Sequence, residues 1–374
     1  MALTHCFNIQ PQRESSQGQC FCARLKGNIP EYTCFFISVL AIPGLGAGFF
    51  LIWRLGRKQF NVPVFQRLPF YLPRYMYPKI KHLLLVYLLL AGHPLFSQAG
   101  GAPLFRFGVI ADVQYADQQH QGTRHYRASL HKLAAAVSVF NDERVDFVVS
   151  LGDFIDADYT SYDTLTDITA KLKMPLYHVA GNHDFAVAEK EKDKVLQALK
   201  LKNDYYSFRK KNWRFIVLNG NDISLYGNAK NSPEHQEAAA LLSKLKAAGA
   251  PNAQSWNGTL SSGQRSWLEQ ELRTAERKRQ QVVVLCHFPL LPEGSAHLLW
   301  KAAEIRRMLE AYPNVKAYLN GHVHASEHHT NKGVDYVTFR GMVEKEDNAF
   351  AIISVFKDHL EIKGYGKEVN RVLK

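Results

Sequence analysis

The sequence contains few cysteines, and they are unevenly placed. Four of the five lie before residue 35, at Cys6, Cys20, Cys22 and Cys34. Residues 99–374 contain only Cys286, so an internal disulfide and a metal site rich in thiolates are both excluded in that part of the chain.

Most of the chain also lacks an excess of charge of one sign. The formal net charge of +12 arises mainly from residues 1–98, which hold 10 Lys and Arg against 2 Asp and Glu. Residues 99–374 hold 36 basic and 32 acidic residues. This near balance is typical of a solvated surface and not of a face that binds nucleic acid, so we expect no nucleic-acid partner.

The apolar run at residues 83–92 is too short for a membrane span, which needs about 20 apolar residues. It follows a short basic stretch from Lys79 and precedes small residues at 97–101. This order predicts a secretory signal peptide over residues 76–99, with cleavage near 98–99 and export of the mature chain. A buried strand or helix is the alternative interpretation of the run.

Residues 1–75 have two interpretations. Met76 lies just ahead of the predicted signal peptide, so these residues are either an extension that results from a start codon chosen too early, or a real segment. In the second case the uncharged run FFISVLAIPGLGAGFFLIW, followed by Arg54, Arg57 and Lys58, would anchor the protein in a membrane with its basic flank inside. We favour the extension, and expect membrane contact only if the segment is retained.

Residues 104–367 alternate short apolar strands with helical patterns, which indicates a single α/β domain. We predict strands over residues 105–111, 145–151, 174–180, 213–219, 281–288 and 315–320, and hairpins over 327–341 and 350–366. Helices are predicted over residues 124–142, 233–249 and 261–279, the last with Ser261 or Ser262 as its N-cap.

Polar residues that could bind metal follow five of these strands directly. They are Asp112 and Gln114, then Asp153, then Asn182, His183 and Asp184, then His287, and finally His322 and His324. Each motif alone is more often a turn or a core residue. Because residues just past the carboxyl ends of strands in an α/β sheet converge on one rim, their joint order predicts a single site.

The ligand types predict a pair of divalent cations. Carboxylate, amide oxygen and imidazole suit Mn²⁺ or Fe²⁺ as well as Zn²⁺. His322 and His324, two residues apart in an extended segment, point to the same side and can reach two neighbouring ions. Two ions bridged by one carboxylate acidify a shared water to hydroxide and stabilise the charge of an in-line displacement. The predicted reaction is therefore hydrolysis at phosphorus.

The motif set resembles that of the calcineurin-like metallophosphoesterases, whose pattern runs D-x-H, GD, GNHD or GNHE, a later H, and GHxH. The resemblance covers roughly residues 105–366 and implies a four-layer α/β/β/α sandwich of two sheets flanked by helices. It also implies two ligand sets that share one carboxylate, the first being Asp112, Gln114, Asp153 and His324, and the second Asp153, Asn182, His287 and His322. His183 would stabilise the transition state or protonate the leaving oxygen, oriented by Asp184.

Gln114 departs from the D-x-H pattern and narrows the match. The segments ADVQYAD, RHYRASLHKL and WNGTLSSGQRSWLEQEL resemble the branch of manganese-dependent ADP-ribose/CDP-alcohol diphosphatases. This resemblance implies two divalent ions, Mn²⁺ in the first place with Fe²⁺, Zn²⁺ or Mg²⁺ as alternatives. It also implies a small-molecule nucleoside-diphosphate substrate, cleaved to a nucleoside monophosphate and a phosphorylated product. An amide oxygen at Gln114 should harden the site and loosen its hold on Zn²⁺ relative to Mn²⁺.

The contacts to the rest of the substrate stay open. Arg124 and Arg127 open a predicted helix near the rim and could neutralise the second phosphate, although exposed or salt-bridged positions fit them equally. Tyr115, Asn257 and Gly258 could meet the base or ribose, or be structural. Two other functions are also open: another phosphoesterase activity, such as a cyclic-nucleotide phosphodiesterase or a nucleotidase, and a nucleotide-binding scaffold without turnover.

Overall fold

The computed structural model describes residues 19–21, 37–39 and 101–374. The chain divides into two units, residues 1–96 and 97–374. In the first unit, strands β1 (Gln19–Phe21) and β2 (Ile37–Val39) form an antiparallel pair. The predicted signal peptide, its cleavage point and all other residues of the predicted extension lie outside the described residues.

The second unit alternates strands and helices along its length. Its strands are β3 (Phe105–Ile110), β4 (Phe147–Ser150), β5 (Leu176–His178), β6 (Tyr206–Lys210), β7 (Trp213–Val217), β8 (Ile223–Ser224), β9 (Gly258–Thr259), β10 (Gln281–Leu285), β11 (Val315–Asn320), β12 (Glu327–Asn331), β13 (Val334–Thr338), β14 (Ala349–Val355), β15 (Leu360–Gly366) and β16 (Arg371–Leu373). Its α-helices are α1 (Ala128–Glu143), α2 (Ser161–Thr169), α3 (Val195–Ala198), α4 (Pro233–Ala247), α5 (Ser262–Arg277) and α6 (Ala302–Glu310). Short 3₁₀ turns cover His183–Phe185 and Glu189–Lys194.

Two six-stranded mixed sheets form the centre of this unit. The first has the order β16–β15–β14–β3–β4–β5, with β3, β4 and β5 parallel. The second has the order β12–β13–β11–β10–β7–β6, with β7, β10, β11 and β13 parallel. Strands β8 and β9 form a separate antiparallel pair. The parallel strands of each sheet therefore have their carboxyl ends on the same side of the sheet, which is where ligands normally bind.

The two sheets pack face to face over an aromatic core. The ring of Phe107 on β3 stacks on Phe147 of β4, with centroids 5.0 Å apart. Phe215 on β7 meets these two rings edge-on, at 5.4 and 5.2 Å. Because the central strands are buried on both faces, their sequences are nearly continuous apolar runs.

Helices cover the outer faces of both sheets. Leu133 and Phe140 of α1 pack on the first sheet, and Leu268 and Leu272 of α5 pack on the second. The result is the four-layer α/β/β/α sandwich, so the predicted fold class is confirmed. Among the helices that the structure describes, none is both long enough and apolar enough to cross a membrane.

Candidate metal centre

The predicted ligands lie together at one rim of the sandwich. A cavity of about 300 Å³ is lined by Gln114, Asp153, Asn182, His322 and His324. The other two predicted ligands are fully buried beside it. Asp112 Oδ1 lies 3.4 Å from His324 Nε2, and His287 Nε2 lies 3.2 Å from Asp153 Oδ2.

The tightest group of donor atoms comes from Asp153, His287 and His322. One donor atom of each lies within 4.8 Å of the others. His287 Nε2 is 3.1 Å from His322 Nδ1 and 3.1 Å from Asn182 Oδ1. Oxygen and nitrogen donors from both sheets thus converge on one point, which is the arrangement that a divalent cation requires.

The backbone is strained at this rim. Five of the seven predicted ligands have positive φ, namely Asp112 (48°), Gln114 (40°), Asp153 (52°), His322 (73°) and His324 (61°). Residues other than glycine rarely adopt this left-handed region. Strain of this kind persists where the surrounding structure enforces it, and it collects at active sites and ligand-binding turns. Its concentration here marks the rim as a functional site.

Two motif glycines allow the chain to approach the carboxylates closely. A Cβ atom at Gly181 would lie 2.2 Å from Asp153 Oδ1, and one at Gly321 would lie 2.5 Å from Asp112 Oδ2. A carbon atom cannot come this close to an oxygen atom, so only glycine fits at these two positions. The glycines of the GNHD and GHVH motifs are therefore part of the geometry of the centre.

Gln114 lines the cavity, and its amide oxygen is buried. Its Nε2 donates a hydrogen bond to Asp153 Oδ2 at 3.0 Å, whereas its Oε1 has no hydrogen-bond partner among the described residues. A buried polar atom without a partner costs about 1–3 kcal/mol, which coordination of a cation would offset. The residues present therefore fit a divalent cation bound through oxygen and nitrogen donors.

Hydrogen bonds at Nδ1, on the side of the ring away from the centre, fix the orientation of two histidine rings. Nδ1 of His287 donates to the carbonyl oxygen of Leu151 at 2.9 Å, and Nδ1 of His324 donates to the Glu344 carboxylate at 2.8 Å. In the neutral imidazole, each of these bonds keeps the hydrogen on Nδ1 and leaves the lone pair on Nε2, the nitrogen that lies near the carboxylates of the centre, as in most protein metal sites. Our sequence analysis missed Glu344, because it lies in the loop after β13 and follows no strand directly.

The centre holds a buried negative charge. Burial alone would raise the pKa of the Asp153 carboxyl group, but the neighbouring His287 and His183 hold that pKa well below its usual range. Burial likewise lowers the pKa of His287, and the charge of Asp153 outweighs it and raises that pKa to about 9. The ionised carboxylate therefore attracts cations to this point, whether protons or metal ions.

His183 lies in the cavity wall and forms an ion pair with Asp156 through Nδ1. Its backbone N–H donates to Asp153 Oδ1 at 2.7 Å. Burial lowers the pKa of His183, but the charges of Asp153 and Asp156 raise it overall. The imidazole is thus biased toward the protonated form, which could protonate a leaving oxygen.

The prediction that Asp184 orients His183 is wrong. Asp184 is fully buried, and its carboxylate accepts hydrogen bonds from the N–H of Gly181 at 2.8 Å and the hydroxyl group of Tyr162 at 3.0 Å. These bonds tie the rim loop to α2, so Asp184 holds the loop together. The orienting carboxylate is Asp156, which completes the LGDFID segment after β4.

Of the two arginines predicted to contact substrate, Arg124 lines the cavity. Arg127 does not; its guanidinium is half-exposed and pairs with Asp117 at 2.6 Å. Tyr115 is buried in the core behind the rim, in a bridge to Ile155. The structure therefore places one of these three residues where it could touch a substrate.

Asn257 and Gly258 also lie outside the cavity wall. Asn257 is fully buried, and its Oδ1 lies 3.1 Å from His322 Nε2. Gly258 pairs with Ser224 in the β8–β9 pair, and a Cβ atom there would lie 2.4 Å from the Gly220 carbonyl oxygen. Gly258 therefore has a packing role.

Three aromatic residues that our sequence analysis did not single out line the same cavity: Tyr226, Trp256 and His297. The His297 ring packs edge-on against His322, with centroids 5.4 Å apart. The available signal was the tryptophan in the WNG segment directly before Asn257. The cavity thus has a polar floor of predicted ligands and an aromatic wall.

A family model described as calcineurin-like phosphoesterase matches residues 105–326. The chain belongs to this family, and it is therefore a metallophosphoesterase and a hydrolase. The match contains strands of both sheets, from β3 to β11, and every predicted metal ligand.

The chain is similar over most of its length to proteins named manganese-dependent ADP-ribose/CDP-alcohol diphosphatase. The protein from Xenopus tropicalis is 30% identical over 325 residues, which cover 72% of this chain and 94% of the relative. The protein from Oryza sativa subsp. japonica is 32% identical over 299 residues, with coverages of 71% and 92%. A crystal structure of a dimetal phosphatase from Danio rerio is also similar, with a TM-score of 0.67, 26% identity, and coverage of 73% of this chain and 99% of that one.

Proposed function

We propose that the protein hydrolyses the pyrophosphate bond of ADP-ribose, CDP-alcohols or related nucleoside-diphosphate-linked molecules. The products are a nucleoside monophosphate and a phosphorylated sugar or alcohol. The observation that carries this proposal is the convergence of Asp153, Asn182, His287 and His322 near Gln114, whose amide oxygen has no partner among the residues that the structure describes. The names of the similar proteins support the substrate class.

We propose two divalent cations as cofactors, with Mn²⁺ as the first candidate. Asp112, Gln114, Asp153 and His324 would hold one ion, and Asp153, Asn182, His287 and His322 the other. When bound, such a pair supplies acidification of water and neutralisation of phosphoryl oxygens. The oxygen-rich donor set around Gln114 and the manganese-dependent relatives both support Mn²⁺.

His183 is the proposed acid of the reaction. Its imidazole lines the cavity beside Asn182, and the ion pair with Asp156 orients the ring and favours its charged form. From this position His183 can donate a proton to the oxygen of the departing phosphate. His183 and Asp156 thus form the proton-delivering pair of the proposed mechanism.

The rest of the cavity suits the remainder of a nucleoside diphosphate. Arg124 can pair with the oxygens of the second phosphate, because a guanidinium group binds phosphate bidentately. Tyr226 and Trp256 offer aromatic faces to the base, and such stacking is worth about 1–3 kcal/mol. We expect Arg124→Gln and Trp256→Ala each to raise KM for ADP-ribose about 10-fold or more. Trp267→Ala is the control. It removes a ring on α5 that packs against Tyr205, and it should leave KM unchanged.

The decisive experiment is a matrix of metals against substrates. Mn²⁺, Mg²⁺ and Zn²⁺ are each tested with ADP-ribose, CDP-choline and cyclic AMP, and the products are separated by chromatography. The proposal expects AMP from ADP-ribose and CMP from CDP-choline without free inorganic phosphate. Turnover of cyclic AMP alone, or release of inorganic phosphate, would assign another phosphoesterase activity; a lack of turnover with every pair would favour a binding scaffold.

We also propose that the protein is exported after cleavage near residues 98–99. This proposal rests on the sequence of residues 76–99, with its basic start, apolar core and small residues. Mass spectrometry of the amino terminus of protein purified from cells tests it. A chain that begins at Met1 and sits in the cytosol would contradict export.

A further inference from the structure

The side chain of Asn257 does not line the cavity, but it makes three hydrogen bonds behind it, one of them to the cavity residue His322. It is fully buried. Its Nδ2 donates to the carbonyl oxygens of Asn252 at 3.1 Å and Ala296 at 2.7 Å, and its Oδ1 lies 3.1 Å from His322 Nε2. Every polar atom of the amide is therefore satisfied, which is the usual state of a buried polar side chain.

These contacts determine which way the amide group points. A backbone carbonyl oxygen can only accept a hydrogen bond, so the NH₂ group of Asn257 must face Asn252 and Ala296. The amide oxygen is then left facing His322. Since an amide oxygen cannot donate, the hydrogen in this contact belongs to Nε2 of His322.

The protonated Nε2 decides the chemistry of the other ring nitrogen. A neutral imidazole with its hydrogen on Nε2 carries its lone pair on Nδ1. Nδ1 of His322 is the atom that faces the centre, 3.1 Å from His287 Nε2 and within the group formed with Asp153. Asn257 therefore presents His322 in the tautomer that can bind a cation.

We propose that Asn257 is a positioning residue that fixes the tautomer and ring orientation of His322 for cation binding. This inference rests on the proposed function, because it assumes a cation at the second ligand set. Asn257 acts on His322 as Leu151 and Glu344 act on the other two histidines. It differs in that its own orientation depends on two loops, the one before β9 and the one before α6.

Removal of the Asn257 oxygen should weaken binding at one ion position and spare the other. Without an acceptor, the buried N–H at Nε2 of His322 is left unsatisfied, which disfavours the tautomer that binds metal. The alternative tautomer places the hydrogen on Nδ1, where it can donate to His287 or Asp153 and occupies the donor position. Loss of a partner that orients a ligand weakens metal binding by about 10- to 100-fold.

The test compares Asn257→Leu, Asn257→Asp and Asn252→Ala in the full-length protein. The leucine removes both the acceptor and the donors. The aspartate keeps an oxygen toward His322 but loses the donors to Asn252 and Ala296. The Asn252 variant is the matched control, because it removes two bonds between the same loops, to the carbonyl oxygens of Leu298 and Leu299, without a change at His322.

Two readouts are needed, namely Mn²⁺ titration by calorimetry and the ¹⁵N chemical shifts of the histidine ring in metal-free protein. His322→Gln identifies the His322 signals. We expect Asn257→Leu to bind one Mn²⁺ about 10- to 100-fold more weakly and to shift His322 toward the Nδ1–H tautomer. Asn257→Asp should keep binding much closer to wild type despite a lower Tm, and Asn252→Ala should lower Tm alone.

Each outcome decides the proposal. If both Asn257 variants lose Mn²⁺ affinity in proportion to their loss of Tm, or if His322 keeps the Nε2–H tautomer in Asn257→Leu, the positioning role is wrong. If the wild-type protein binds no divalent cation, the proposed function fails. In that case, the tautomer of His322 measured in the metal-free protein still decides whether Asn257 fixes the position of the ring hydrogen.

Discussion

The two sheets contribute different chemistry to the same rim. The first sheet supplies oxygen donors, from Asp112, Gln114, Asp153 and Asn182, while the second supplies the imidazoles of His287, His322 and His324. Neither half alone supplies the mixed oxygen and nitrogen donor set of the proposed centre. Oxygen donors alone would suit Mg²⁺ or Ca²⁺, and imidazoles alone would not provide the negative charge that balances two cations.

The two halves also hold one another in place. The backbone N–H of His322 donates to both carboxylate oxygens of Asp112, at 3.0 and 3.1 Å. In the other direction, His287 Nδ1 reaches across to the Leu151 carbonyl at 2.9 Å. The relative position of the two sheets at this rim is therefore set in part by the same residues that form the centre.

The largest effect should come from Asp153→Asn, because Asp153 belongs to both ligand sets. Asparagine keeps the shape but removes the charge that holds two cations together, so kcat should fall roughly 10³-fold or more, the equivalent of about 4 kcal/mol. Metal analysis should find fewer than two ions per chain. Asp146→Asn, which removes a carboxylate of the same sheet paired with Lys210, is the control and should retain activity. Two firmly bound ions in Asp153→Asn would contradict the shared-ligand assignment.

The next largest effect on kcat should come from His183, which with Asp156 lies in the loops that follow strands of the first sheet. His183→Gln should lower kcat about 10²- to 10⁴-fold without loss of metal, because it removes an acid and not a ligand. His329→Gln, on the outer strand β12, is the control and should keep the wild-type rate. A loss of bound metal in His183→Gln would instead make His183 part of the metal centre.

Asp156→Asn should have a smaller effect on kcat, about 10-fold, and a diagnostic effect on its pH dependence. The charge of Asp156 contributes to the raised pKa of His183. His183 holds its proton below that pKa and loses it as the pH rises through it, so activity should fall at high pH. Without the charge the pKa is lower, and the alkaline limb of kcat should move to lower pH. An unmoved limb would mean that His183 is not the acid.

Much of the fold could be predicted because its central strands are buried on both faces. Runs such as 281–288 and 315–320 are mostly apolar, and both contain strands close to the predicted bounds. The N-cap at Ser261 was also predictable, and its side chain accepts a hydrogen bond from the Gln264 N–H. By contrast, β8 and β9 are two residues each and carry no periodic pattern. Helix α1 begins at Ala128 and not at 124, because Arg124 is held in a turn with Gln121.

The metal ligands could be predicted from the sequence because each follows a strand closely. The residues that orient these ligands could not be predicted, because they contact the ligands across long distances in sequence. Asn257 and His322 are 65 positions apart, and Glu344 and His324 are 20 apart. Asp184 was wrongly assigned as the carboxylate that orients His183 for the same reason, since adjacency in sequence says little about which carboxylate faces a side chain. Local patterns thus locate the donors, and the tertiary fold decides how they are oriented.

A moderate effect is expected from Gln114→His, which adds a nitrogen donor to the oxygen half. Gln114 lines the cavity, and its amide oxygen has no hydrogen-bond partner in the described part of the chain, so imidazole in its place should soften that ion position and favour Zn²⁺ relative to Mn²⁺. We expect the ratio of activity with Mn²⁺ to activity with Zn²⁺ to fall several-fold. Gln121→His, on the exposed loop nearby, controls for a new histidine. An unchanged metal profile would remove this explanation of the amide.

The smallest effect on catalysis, and a distinct effect on stability, should come from His178→Phe on β5. His178 is buried against Phe154, and its Nδ1 has no partner among the described residues. Burial, with a smaller contribution from Lys200, lowers its pKa from 6.5 to about 4. As the pH falls, the unfolded chain takes up this proton first, so the free energy of unfolding should decrease between about pH 6.5 and 4, by roughly 3 kcal/mol in total.

Phenylalanine at position 178 cannot titrate, so that share of the acid sensitivity should disappear while kcat at neutral pH stays close to wild type. Urea unfolding at pH 7 and pH 5 measures the difference. Because His178 lies on the first sheet and does not line the cavity, this variant separates the stability of that sheet from the chemistry in the cavity. Equal acid sensitivity in wild type and His178→Phe would show that other groups cause the loss, and a large fall in kcat at neutral pH would show that the rim depends on packing as deep as β5.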